Sequence, residues 1–158
     1  MKTHVRKRKK KNGGYIIIAG CGRLGANLAS TLSNIGENVI IIDKIEDAFR
    51  KLSPSFGGIT VTGDATEMSV LSAAEIEKAS AVIALTNSDN TNIMVAQLAK
   101  EMFSIDEVIA RIYDPERECI YQDFGIETIC PAELSMKEID KMLPTIPLGL
   151  LEAEVAVK

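Results

Sequence analysis

Residues 16–29 read IIIAGCGRLGANLA, an apolar run that ends in three glycines, Gly20, Gly22 and Gly25, spaced G-x-G-x-x-G. The run has the composition of a buried strand. Beyond it Leu24, Leu28, Leu32 and Ile35 recur at four, four and three residues, which predicts a helix with one apolar stripe. Gly36 follows as its C-terminal cap. A glycine turn between a strand and a helix is the context in which this spacing binds a nucleotide. The first glycine turns the chain, the second lets backbone approach phosphate, and the third brings helix and strand close. The free amides of the helix then face the anion. Asp43 stands 18 residues after Gly25, at the end of the next apolar run, where a carboxylate accepts hydrogen bonds from ribose hydroxyls. Its charge repels a 2′-phosphate, which favours NAD or an adenosine nucleotide over NADP.

Working outward, β-rich runs recur at 15–19, 38–42, 58–62, 81–85, 107–111 and 126–129. They are apolar throughout, as strands covered on both faces are. Helical spacing fills the gaps, with Asp114-Pro115 and Pro131 as helix starts and Gly125 as a stop. Glu133 suits the first turn of the last helix. The expectation is an α/β, Rossmann-like doubly wound sheet of six mainly parallel strands, with a C-terminal helix and a short extra strand. Residues 1–14 read as a basic, disordered tail and 15–142 as the nucleotide-binding domain. Residues 143–158 read as a linker and strand, the start of a second lobe. The segment NIMVAQLAKEMF (92–103) is apolar around most of a helix, which calls for deep burial or a homodimer face.

The totals narrow the function. One domain is expected of 158 residues. Seven of the 18 Lys and Arg lie within the first 11 residues; the remainder sets 11 basic against 22 acidic side chains. An acidic body argues against nucleic acid as a partner. No apolar run approaches the length of a membrane span or a signal peptide. Three scattered cysteines suit a reducing, cytoplasmic compartment, and a single histidine, His4, leaves zinc without a ligand set.

Two further loops fall at strand ends. In GDAT (63–66), Asp64 suits an adenine amino group and Thr66 a helix cap. In TNSDNTN (86–92), ligand contact competes with ordinary capping by Ser88 or Asp89. Arg111 ends the fifth strand and suits a phosphate or an acidic neighbour. Arg23 adds a full charge at the helix start, more than a pyrophosphate needs; a di- or triphosphate, or two nucleotides facing each other across a dimer, would use it. Cys21 reads as a small filler, not a nucleophile. No histidine lies outside the tail, and neither a Tyr-x-x-x-Lys pair nor a phosphate loop ending G-K-[ST] occurs. A cofactor half without a catalytic half results. An NAD-dependent oxidoreductase completed by another chain is the alternative; a methyltransferase would favour a neutral loop over Arg23.

The series GCGRLG, Asp43, GDAT, TNSDNTNIMVAQLAK, ARIYDPE and FGIETICPAE resembles the TrkA-N domain, also called the KTN or RCK domain, over residues 15–132. The resemblance implies a Rossmann site for NAD(H), ATP, ADP or AMP on a regulatory subunit of a potassium uptake system. It also implies a homodimer or ring, cytoplasmic and peripheral on the inner membrane face through a potassium-translocating membrane subunit. By position it implies that the loop Gly20, Cys21, Gly22, Arg23, Leu24 and Gly25 meets phosphate and that Asp43 meets ribose. Gly63, Asp64 and Ala65 would border adenine. Thr86, Asn87 and Asn92 would form the central loop, and Arg111 would close the fifth strand. Lys44 replaces a small or acidic residue common in relatives, which leaves the choice of nucleotide open.

Overall fold

The computed structural model describes residues 14–115, 121 and 124–143. Six strands form one parallel sheet in the order β3-β2-β1-β4-β5-β6. They are β1 (Tyr15–Ala19), β2 (Val39–Asp43), β3 (Ile59–Thr62), β4 (Ala79–Ala84), β5 (Glu107–Arg111) and β6 (Glu127–Ile129). The chain runs outward from β1 to one edge, then crosses back to β4 and proceeds to the other. The direction of winding reverses between β1 and β4, and a crevice opens there at the carboxyl ends of the strands. The expected fold class stands, with strand limits within two residues of those read from the sequence.

Uniform apolarity in the strands has a direct structural cause: both sheet faces are covered. Ile17, Ile40, Ile42 and Val82 pack on one side with Leu71 of α2 (Met68–Ala73) and Val95 of α3 (Asp89–Gln97). Ile18, Val39 and Ile41 pack on the other with Ala26 and Ala29 of α1 (Arg23–Asn34) and with Ala48. Ala48 belongs to a 3-10 segment, Glu46–Lys51, that follows β2. Helix α4 (Pro131–Met142) begins at Pro131 with Glu133 in its first turn, as its sequence predicts.

The sequence expectation for α1 needs correction. Its sheet-facing residues are Gly25, Ala26, Ala29 and Ser30, not the leucine stripe. Leu24 is 42% exposed and Ile35 70%. Close approach explains the choice: a Cβ on Gly25 would stand 1.9 Å from the Gly20 carbonyl oxygen. A helix that near to a strand has room only for small residues. Leu28 and Leu32 instead pack partly buried beside Phe49, Leu52 and Phe56. The end of α1 is as expected: Gly36 adopts φ +87°, while its N–H and that of Glu37 return to the carbonyls of Ser33 and Leu32. That pairing is a Schellman closure.

The apolar excess of 92–103 is largely consumed inside this chain. Ile93, Val95, Ala96 and Ala99 are buried, and only Met94 and Met102, 49% and 63% exposed, stand well out. The helix continues past Gln97 as one π-helical turn, Leu98–Met102. The helix expected between Asp114 and Gly125 falls mostly outside the described residues, as do the basic tail and the strand of LLEAEVAVK.

Candidate functional site

At the carboxyl ends of the strands lies a cavity of about 410 Å³. The glycine loop contributes Gly20, Cys21 and Gly22; β2 and its exit contribute Asp43 and Lys44. Gly63, Asp64 and Ala65 follow β3, while Thr86 and Asn87 follow β4. Ten of the fifteen residues read as site candidates therefore share one hollow. Arg23, Leu24, Gly25, Asn92 and Arg111 do not line it.

The three glycines answer to different constraints. Gly20 has φ +105°, and a Cβ there would meet the Thr86 backbone at 2.8 Å. Gly25 is dictated by the close approach of α1. Gly22 is dictated by neither: its φ of −74° suits any residue, and a Cβ there would meet nothing within 4 Å. The first helical hydrogen bond of α1 runs from the Ala26 N–H to the Gly22 carbonyl. The amides of Arg23, Leu24 and Gly25 are thus the unmatched donors at the helix start, beside open space. Arg23 itself is exposed at this first helical position.

Asp43 has a structural part beside the ribose contact expected of it. Its Oδ2 accepts from the Cys21 N–H at 2.7 Å and its Oδ1 from the Ile45 N–H at 2.9 Å. The carboxylate thereby ties the glycine loop to β2 and is held in one orientation. Each oxygen keeps one further acceptor position for a hydroxyl.

Asp64 is similarly engaged. Its Oδ1 accepts from the Thr66 N–H and Oγ1, and its Oδ2 pairs with Lys44 Nζ at 2.8 Å. These contacts, the Lys44 bond first, lower its pKa to about 2. Thr66 makes no helix cap: its hydroxyl braces Asp64, and α2 starts from Glu67 without a side-chain cap. The Lys44 ammonium is correspondingly raised, chiefly by its bond to Asp64.

Asn92 and Arg111 support the switch-point loop from behind. Asn92 is fully buried. Its Oδ1 accepts from the Thr86 N–H and Oγ1, both at 2.7 Å, and its Nδ2 donates to the carbonyls of Thr86 and Arg111. All its capacity is used inside the protein. Arg111, 8% exposed, donates to the Thr86 carbonyl and to Asn87 Oδ1 and lies over the Tyr113 ring at 4.8 Å; its Nε has no partner. Ser88 caps α3 by accepting from the Thr91 N–H. Asp89 instead receives the amides of Tyr113 and Asp114, pinning the turn after β5.

Cys21 is buried, and its thiol donates to the Ala48 carbonyl at 3.3 Å. Burial raises its pKa, helped by Asp43 and opposed by Lys51. Alkylation of the native protein at pH 7.5 is expected to modify Cys21 far more slowly than in denaturant, measured by peptide mass spectrometry. Equal rates would mean that the loop opens readily.

Sequence reading missed the residues between β2 and β3 that close the cavity, notably Ile45, Ala48 and Lys51, along with Leu85 and Thr91. The available signal was topological: a segment leaving β2 beside the glycine loop must cross the cavity mouth. Among the described residues no helix is long and apolar enough to cross a membrane, and no group of three or more His, Cys, Asp or Glu is placed to hold a metal ion.

The TrkA-N domain profile matches residues 16–131. The Trk system potassium uptake protein TrkA of Streptomyces coelicolor is 42% identical over 132 residues, covering 83% of this chain and 59% of that protein. A TrkA homolog of Pyrococcus horikoshii is 38% identical over 109 residues, covering 69% and 48%. The chain thus spans about half the length of these relatives. Among solved structures, the AMP-bound Kef C-terminal domain of Shewanella denitrificans superposes with a TM-score of 0.68 at 23% identity, covering 90% of this chain and 87% of that one. The GsuK channel bound to NAD superposes with a TM-score of 0.61 at 19% identity, covering 80% and 23%. Glycine loop, strand-end acid and switch-point loop all fall inside the matched span, and the chain belongs to the TrkA-N domain family.

Proposed function

We propose that this chain is a nucleotide-sensing regulatory domain of a potassium uptake system. It binds NAD(H) or an adenine nucleotide (ATP, ADP or AMP) in the crevice above β1 and β4. It acts as a homo-oligomer on the cytoplasmic face of a potassium-translocating membrane subunit, and it catalyses no reaction. Residues 15–142 form the binding domain, and residues 143–158 lead toward a second lobe. Different nucleotides contact Arg23 and the Arg23 of a second copy differently, which biases the shape of the assembly.

The observation that carries this reading is Gly22, a residue with ordinary backbone and open space where a side chain would go. Neither space nor backbone angle excludes a Cβ there, and the N-cap preference for glycine over alanine is small beside the cost of a methyl held against a bound phosphate. The relatives' names support the system, and the AMP and NAD complexes of similarly folded proteins support the ligand class. The state of the cavity's acids and thiol supports a non-catalytic role. Asp43 holds two backbone amides, Asp64 holds Thr66 and Lys44, and the Cys21 thiol is raised and buried.

The test is a thermal-shift panel of NAD, NADH, ATP, ADP and AMP on wild type and on Gly22→Ala. At a hundredfold excess over Kd, binding adds about 2.7 kcal/mol, several degrees in Tm for a chain of this size. Gly22→Ala is expected to melt within a few degrees of wild type, because its methyl meets open space and the cost is that of a weaker helix N-cap, about 1 kcal/mol or less, and to lose the nucleotide shift. A wild type indifferent to every nucleotide would overturn the reading, as would NADH consumption with a candidate substrate.

A further inference from the structure

Where β2 and β3 end, the cavity rim carries a donor and an acceptor side by side. Lys44 leaves β2 directly after Asp43, and Asp64 leaves β3 after Gly63; their Nζ and Oδ2 atoms lie 2.8 Å apart, and both residues line the cavity. Asp64 Oδ1 is saturated by the Thr66 N–H and hydroxyl, so Oδ2, with one position taken by Lys44, retains one. The ammonium has three protons and uses one on Asp64. Ile45 and Ala65, the next residues along the two exits, add apolar surface to the same rim. The rim therefore offers one acceptor position on Asp64 and, adjacent to it, an ammonium with two protons left to donate.

An adenine edge has the complementary pattern: an amino donor flanked by a ring nitrogen that accepts. We propose that Lys44 is a base-reading residue, donating from Nζ to the ring nitrogen beside the adenine amino group while Asp64 Oδ2 accepts from that amino group. The proposal rests on the nucleotide-binding reading above. Thr66 is the brace that makes it work, because it fixes Asp64 and Asp64 in turn fixes an otherwise flexible lysine. Being ionised well below neutral pH, Asp64 keeps hold of Lys44 across the physiological range. A rival role for an exposed lysine at this rim is to meet a phosphate on the ribose 2′-hydroxyl. Asp43, one residue earlier and facing the same cavity, opposes that charge.

The experiment is calorimetric titration of the full chain with ADP, the fragment common to NAD and ATP, and with 1-deaza-ADP and 7-deaza-ADP. Wild type is expected to bind one deaza analogue roughly tenfold more weakly than ADP, the scale of one charge-assisted hydrogen bond. Lys44→Met should bind ADP weakly to the same degree and no longer distinguish that analogue, with Tm lowered by at most a few degrees because the lost Lys44–Asp64 pair is solvent-exposed. Lys44→Arg should restore the discrimination. The proposal is overturned if wild type binds both analogues as well as ADP, or if Lys44→Met still discriminates. It is also overturned if wild type prefers NADP to NAD and Lys44→Met loses that preference, which would make Lys44 a phosphate reader. If neither ADP nor NAD binds wild type at all, the fault lies in the nucleotide-site reading, and this proposal falls with it.

Discussion

Gly25→Ala is expected to destabilise the protein by about 3 kcal/mol or more and to abolish nucleotide binding, although alanine is the better helix former. Two effects compete at this position. Alanine in place of glycine within a helix gains about 1 kcal/mol. Against that, the new methyl would sit 1.9 Å from the Gly20 carbonyl oxygen, a backbone atom that cannot rotate away. Relief requires α1 to lift off β1, loosening its contacts at Ala26 and Ala29 with the sheet. Overpacking of a well-filled core costs about 1–3 kcal/mol even when side chains can give way, so the clash wins. A loss of that size lowers Tm by roughly 10 °C for a chain of this length. Urea melts and ADP titration give the two readouts. A stable Gly25→Ala protein with normal affinity would show that the helix need not approach so closely. Gly22→Ala is the internal contrast: same loop, same chemical change, binding lost in both but stability largely kept in this one.

Asn92→Ala is expected to cost about 3 kcal/mol and to weaken nucleotide binding without removing any atom from the cavity wall. Four hydrogen bonds end on this side chain. Its loss leaves the Thr86 N–H and the Arg111 carbonyl short of a partner. Each such buried group costs about 1–3 kcal/mol, reduced at Thr86 because that residue is only half-buried. Arg111 still reaches the Thr86 carbonyl, so the loop is loosened, not released. Hydrogen exchange at the Thr86 amide should accelerate in step with the loss of affinity. Asn92→Asp separates support from contact. The aspartate keeps the two acceptor bonds to Thr86 but turns an oxygen toward two carbonyls, so it should destabilise nearly as much. If Asn92→Asp were stable and only binding suffered, Asn92 would be a ligand contact.

Much of the fold was legible because the signals were local and redundant. Runs such as Ile16–Ala19 and Val39–Ile42 are apolar at every position, which only a sheet covered on both sides satisfies. Glycines and prolines then marked the turns. The face of α1 was not legible. Leucines at helical spacing name a stripe, but how near a helix lies to a sheet depends on a contact between Gly25 and Gly20 that spacing cannot express. The same limit applies to the polar loops. That Thr86, Asn87 and Asn92 cluster near the switch point followed from topology. That Asn92 faces inward, holding Thr86 instead of facing the cavity, depends on where β5 delivers the Arg111 carbonyl. Lys44 and Asp64 were both visible in the sequence, whereas the bond between them joins two different strand exits.

The sheet order has a consequence for how the molecule comes into being. β1 lies in the middle of the sheet, and one of its two neighbours, β4, comes roughly sixty residues later in the chain. Such pairings must close long loops before they are rewarded, which slows folding. On a ribosome adding about 5–20 residues per second, several seconds separate the synthesis of the glycine loop from that of its support. Throughout that interval the loop lacks the wall formed by Leu85 and Thr86. The crevice beside the glycine loop is therefore incomplete until β4 is made, and a ligand present during synthesis would act on a late step of assembly, not the first.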